Sequence, residues 1–152
     1  MENPNSAQPE QLMDLLSQLV ETHRVDLAGR YLSVLRESLF SNRAEVRLNM
    51  LKQIATDEAE MLLSFLNQPA FSVAEHGSQL HRTGLSERVV LRLGHVTRLF
   101  FLTHLESDQV APMLETVHAY QEAVIQGFVQ GLEKYHLSEL ERTRNALQRG
   151  DS

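Results

Sequence analysis

Seven histidines in a chain of 152 residues without cysteine turn attention first to metal, haem or acid–base chemistry. Their spacing argues against a shared metal. His76 and His81 stand five apart, which on a helix turns their imidazoles about 140° away from each other. His95 and His104 are more than two turns apart. No His-x-x-x-His pair, the spacing that sets two imidazoles over one ion, occurs in the chain. Most of the histidines therefore read as solvated or core-edge residues. The motif Glu-x-x-His occurs twice, as Glu115-Thr-Val-His118 and Glu133-Lys-Tyr-His136. Di-iron carboxylate bundles draw one such motif from each of two facing helices. Here both copies fall on one helical segment, roughly 27 Å apart, and cannot converge within one chain. There is no Gly-x-Ser-x-Gly elbow, no thiol nucleophile and no glycine-rich phosphate loop. The acidic run Asp57, Glu58 and Glu60 reads as a solvated helix face. The chain is expected not to be an enzyme, with no metal site and no catalytic residues.

Composition narrows the class. Apolar residues make up 42% and charged residues 22%, as in ordinary globular proteins, and the length suits one domain. A formal charge of −6 with no basic stripe argues against nucleic acid. The absence of cysteine fits a reducing cytoplasm. The polar start MENPNSAQPEQ lacks a secretory pattern, and no run approaches the ~18 apolar residues of a membrane span. A cytoplasmic protein without a membrane partner is the expectation.

The elements that would position any site are all helical. Residues 1–8 read as a disordered lead-in. Leu12, Leu15, Leu16 and Val20 recur at helical spacing to about His23, and Leu27, Tyr31, Val34, Leu35, Leu39 and Phe40 repeat the pattern over 25–40. Asn42-Arg-Ala-Glu45 suits a capping box for a third helix whose apolar face runs through Val46, Met50, Ile54, Met61, Leu62 and Phe65, ended by Pro69. Ser72-Val-Ala-Glu75 suits a cap for a fourth helix, closed by Thr83-Gly84. Ser86 suits the cap of a fifth helix over 87–105, and Ser107-Asp108 opens the last. No segment alternates like a strand. The fold class is all-α, with five or six helices. The pair Gly127 and Gly131 reads either as a close helix approach or as a site crossed by a bulky side chain, and Gly94 either as a packing crossing or as a propensity cost of ~1 kcal/mol offset elsewhere.

The last helix is the most informative element. From Asp108 to Arg149 one proline, Pro112 near the start, and two glycines interrupt an otherwise helical composition. An unbroken helix of that length spans roughly 60 Å, whereas a domain of this size has a radius of gyration near ~15 Å, so its end must project. A phase shift in the apolar pattern near 135–137 suggests the exit point, dividing a domain over 9–135 from a projecting segment over 136–152. Val124, Ile125, Phe128, Val129 and Leu132 cover a wide apolar arc, as do Leu99, Phe100 and Phe101 on the helix before. Such an arc is wider than one buried face needs, and a homodimer through Leu99, Phe100, Val124, Phe128 and Leu132 is the expectation.

The stretch Glu75-His-Gly-Ser-Gln-Leu-His-Arg-Thr-Gly-Leu-Ser-Glu-Arg-Val-Val-Leu-Arg-Leu, followed by the long charged helix, resembles the N-terminal sensor domains of RsbR-type stressosome proteins. The shared pattern is a short helix, a turn (here Gly84-Leu85-Ser86) and an apolar helix. The resemblance implies a globin-like sensor domain, generally without haem, that dimerises through its last two helices and passes a signal along a linker helix. Residues 87–105 and 108–135 would be the last two globin helices, and 137–149 the linker. It implies further that a haem, were one bound, would take its axial ligand from His76 or His81. With 6% aromatic residues and no tryptophan, porphyrin walls would be lean, and the haem-free form is expected. The sequence ends at Ser152 without the family's C-terminal antagonist domain, so output would go to a further domain or to a separate regulatory protein. The input would be a ligand or a partner, a small apolar molecule among the candidates. A haem-based gas or redox sensor and a ligand-free dimerisation scaffold are the alternatives.

Overall fold

The computed structural model describes residues 8–40, 48–68 and 72–150. The expected box at Asn42–Glu45, the face residue Val46 and the break at Pro69 lie outside them. So does the lead-in, apart from Gln8, which opens the first helix. Six helices follow in order: α1 Gln8–Thr22, α2 Arg24–Phe40, α3 Leu48–Asn67, α4 Ala74–Arg82, α5 Glu87–Leu102 and α6 Ser107–Gly150. Among the described residues there is no strand, and no helix is long and apolar enough to cross a membrane. The protein is all-α with a long C-terminal helix.

The apolar periodicity becomes the core. Leu16 and Val20 of α1, Leu27, Tyr31 and Leu35 of α2, and Ala59 and Leu62 of α3 lose all solvent contact, as do Phe100 and Phe101 of α5 and Met113 and Val117 of α6. α3 lies against α1 and α2, α5 bridges α2 to α6, and α4 is laid along α6. Met50, expected on the buried face of α3, is instead exposed, because the buried stripe runs Leu51, Ile54, Ala55, Glu58, Ala59, Leu62.

Local chemistry sets the helix ends. Ser86, in extended conformation, caps α5 by accepting from the Val89 N–H at 3.4 Å. Gly84, with φ +87°, supplies the left-handed residue that ends α4. Two expectations need correcting. α5 stops at Leu102 and not at 105, because the Thr103 hydroxyl takes the Phe100 carbonyl at 2.7 Å and the His104 N–H takes that of Phe101. The Ser72–Glu75 box does not form. Val73 occupies the cap position without a side-chain bond, Ser72 Oγ accepts only from Ala74, and Glu75 turns to Arg82.

α6 is a single helix of 44 residues, about 66 Å long. Its first half supplies Met113, Val117, Tyr120, Val124 and Phe128 to the core. Gly131 is its last half-buried residue, and every described side chain from Leu132 onward is exposed, while His81 of α4 still leans on Tyr135. The helix thus leaves its cover gradually, over a stretch that brackets the phase shift in the sequence.

Candidate functional site at the crossing of α3, α4 and α6

The acidic run of α3 is not a solvated face throughout. Glu58 is only 3% exposed, in the middle of the buried stripe. Its two oxygens are divided between two helices. Oε2 lies 2.5 Å from His76 Nε2 of α4, and Oε1 accepts from the Tyr120 hydroxyl of α6 at 3.0 Å. His76 is 8% exposed, so it is not one of the solvated histidines. Close by, the Tyr31 and Thr97 hydroxyls pair at 2.5 Å, and Thr97 also donates to the Leu93 carbonyl. Side chains of α3, α4 and α6 therefore meet in one hydrogen-bonded cluster inside an apolar core, and those of α2 and α5 pair in a second, close enough for the Glu58 charge to act on Tyr31.

A carboxylate, an imidazole and a phenol in contact are acid–base groups, but a general acid or base must also reach a reacting proton. These three are sealed, and no serine hydroxyl is hydrogen-bonded to the imidazole. What the arrangement does is orient helices. A buried carboxylate that loses its partners costs far more than a mismatched methyl group, so Glu58 admits only packings that bring His76 and Tyr120 to it.

Both buried phenols are pushed well above the usual tyrosine range, Tyr31 and Tyr120 alike by burial first and by the Glu58 carboxylate second. Because the folded state holds these protons more tightly than the unfolded chain, their contribution to stability is complete below the unfolded value of about pH 10. It is then lost as pH rises toward the folded values. Urea unfolding from neutral pH into the alkaline range should therefore show stability falling above about pH 10, by up to ~1.4 kcal/mol per pH unit for each phenol. Tyr31→Phe and Tyr120→Phe should each flatten that slope. An unchanged slope in both variants would contradict the assignment.

Where α4 crosses α6 there is no room for a side chain on either helix. A Cβ on Gly77 would lie 2.0 Å from the Val124 carbonyl oxygen, and one on Gly127 would lie 1.9 Å from that of Ala74. Ser78 Oγ ties the crossing by donating to the Gly127 carbonyl at 3.1 Å. Of the two readings of Gly127 and Gly131, the close crossing is the one realised, and α4 of the same chain is the partner. Gly94 differs: the side chain of Gln121 of α6 covers it, accepting from Arg98 at 2.7 Å and donating to the Leu91 carbonyl at 3.3 Å.

This crossing also tests the haem geometry that the resemblance implies. An axial ligand needs a free imidazole nitrogen facing a gap wide enough for a porphyrin. His76 directs Nε2 at Glu58, and the Gly77–Gly127 backbone contact closes the space between α4 and α6. His81 sits edge-on to Phe128 at 5.2 Å and Tyr135 at 6.1 Å, at the mouth of a surface groove. His76 therefore does not fit an axial haem ligand.

The residues expected at a dimer seam separate into two groups. Leu99 and Leu132 are exposed, at 45% and 37%. Phe100, Val124 and Phe128 belong to the interior of a single chain, at 0%, 2% and 5%, and so are not available to a partner. The wide arc on α6 is consumed largely by α4, whose short sequence gave no hint of how closely it would lie. Phe128→Glu would accordingly damage the core and would not isolate a seam. Both Glu-x-x-His motifs lie on the exposed side of α6, where His118 is 3.9 Å from Glu122. Among the described residues no three His, Asp or Glu side chains stand together as a metal site would need.

Sequence reasoning passed over Glu58, Tyr120 and Tyr31 as a group. A signal was present. Ile54, Glu58 and Leu62 are spaced by four, so the helical period already set Glu58 on the core side, and Val73, His76 and Leu80 do the same for His76. No family model, no curated protein and no solved structure matches this chain.

Proposed function

We propose that the chain is a non-enzymatic regulatory module of the globin-like, haem-free stressosome-sensor type. It acts in the cytoplasm as a homodimer through α5 and α6 and hands its state to a downstream protein or domain along the free half of α6. The observation that carries this reading is the division of α6 into a core half and an exposed half within one unbroken helix. Such a helix couples the packing of the globule mechanically to whatever its far end touches.

A second surface supports the dimer. Leu91, Leu99 and Leu102 on α5, and Leu114, Val129 and Leu132 on α6, are all 37–45% exposed. Leu114, Gln121, Ile125 and Leu132 follow one another at steps of seven, four and seven, so they form one stripe, and Gln121 binds the Leu91 carbonyl. The two sets of leucines thus border the same α5–α6 junction. A two-fold copy would cover them in a four-helix arrangement and bring the two free ends side by side. On those ends Leu137, Leu140, Arg144 and Leu147 are spaced three, four and three, the spacing of a paired-helix seam. Signalling then requires an input that binds two packings of this dimer with different affinity.

Sedimentation equilibrium tests the reading. The wild type should be a dimer at roughly tens of micromolar, and Leu99→Glu or Val129→Glu should shift it toward monomer while leaving helicity intact, because neither residue is core in a single chain. A wild type that stays monomeric would remove the mechanism.

A further inference from the structure

α4 ends where α6 begins to lose its cover, and the two helices diverge there around a groove of about 580 Å³. That volume falls in the range of small-molecule sites. At its inner end the two helices are in close contact: a Cβ on Gly131 would come within 3.2 Å of Ser78 Oγ. One wall is aromatic. His81 is fixed edge-on against Phe128 at 5.2 Å and meets the Tyr135 ring at 6.1 Å with an interplanar angle of 62°. The polar groups are unequal in their commitments. Arg82 is engaged by Glu75, which neutralises it. Among the described residues the Lys134 ammonium has no hydrogen-bond or ion-pair partner, and neither does the Ser138 hydroxyl one turn further along α6.

We infer that this groove is a binding site for a small aromatic carboxylate. One uncommitted ammonium in a chain of formal charge −6 matches one carboxylate, to which Ser138 can donate a further hydrogen bond. The His81–Tyr135 wall offers a planar ring offset and edge contacts. A phosphate dianion is a poorer match, because the second cation, Arg82, is already paired. A ligand so held bridges α4 and α6 where α6 leaves the globule, and so biases the angle of its free half. That consequence rests on the reading of α6 as the output element; the binding itself does not.

Isothermal titration of the full chain with 2-naphthoate tests the site. One site per chain is expected. The uncharged isostere 2-naphthamide should bind at least about ten-fold more weakly, as should Lys134→Gln toward the carboxylate. Tyr135→Ala should weaken both probes. Lys134 and Tyr135 are exposed, so those two variants should keep the wild-type thermal midpoint. No heat at millimolar 2-naphthoate would overturn the proposal. Equal affinity for the amide, or for Lys134→Gln, would do so too. Sedimentation of the probe-free protein judges the dimer separately, so the two ideas fail independently.

Discussion

His76→Ala should lower stability by about 3–5 kcal/mol, the cost of leaving a buried charge without its partner. The Glu58 carboxylate, itself only 3% exposed, would keep only the Tyr120 hydroxyl. For a domain of this length that loss corresponds to a fall of roughly 8–15 °C in thermal midpoint. Replacing both members by apolar residues should be milder than removing one, because the double variant Glu58→Leu/His76→Leu buries no charge; only the Tyr120 hydroxyl then lacks its acceptor. A double-mutant cycle from urea unfolding measures the coupling. A single-variant loss under about 1 kcal/mol would show that the pair does not govern the packing of α4.

Gly127→Ala should destabilise the protein by about 1–3 kcal/mol, although alanine is the better helix former by ~1 kcal/mol. The added methyl group would overlap the Ala74 backbone, which cannot rotate away as a side chain can, so α4 must lift from α6. Lifting α4 draws His76 from Glu58 and Ser78 from the Gly127 carbonyl together. Gly29→Ala provides the contrast. Nothing lies within 4 Å of a Cβ there, in the middle of α2, so the same substitution should raise stability by about 0.4–1 kcal/mol. Opposite signs for two chemically identical changes would separate close approach from helix propensity. If both variants were stabilised, the crossing would be looser than described.

The two results bear on function differently. The Glu58 network and the glycine crossing make α4 a rigid part of the domain, tied at once to α3 and α6. A ligand in the groove would therefore act on a fixed element at α4's start and on a freer one at its end, beside Gly131. On the proposed reading, that gradient would carry a small event at His81 and Tyr135 into the free half of α6.

The sequence by itself determined the helices and most of their ends. Apolar residues at three- and four-residue steps can be buried together only on a helix, so Leu16, Val20, Leu27, Tyr31 and Leu35 had to share a core side. The Ser86 cap, the Gly84 stop and the length of α6 followed from local chemistry that acts within a few residues. The close approach at Gly127 could be narrowed to two readings and no further. Only the tertiary structure decided what each helix touches. A wide apolar arc on α6 looks the same in sequence whether a second copy or α4 covers it; α4 takes Val124 and Phe128, and leaves Val129 and Leu132. An acidic run likewise looks solvated until a partner fifty or more residues away, such as Tyr120, removes Glu58 from water. The four-residue spacing of Ile54, Glu58 and Leu62 places Glu58 on the core side, but the groups that pair with it are brought together only when the chain folds, and no spacing within one helix encodes them.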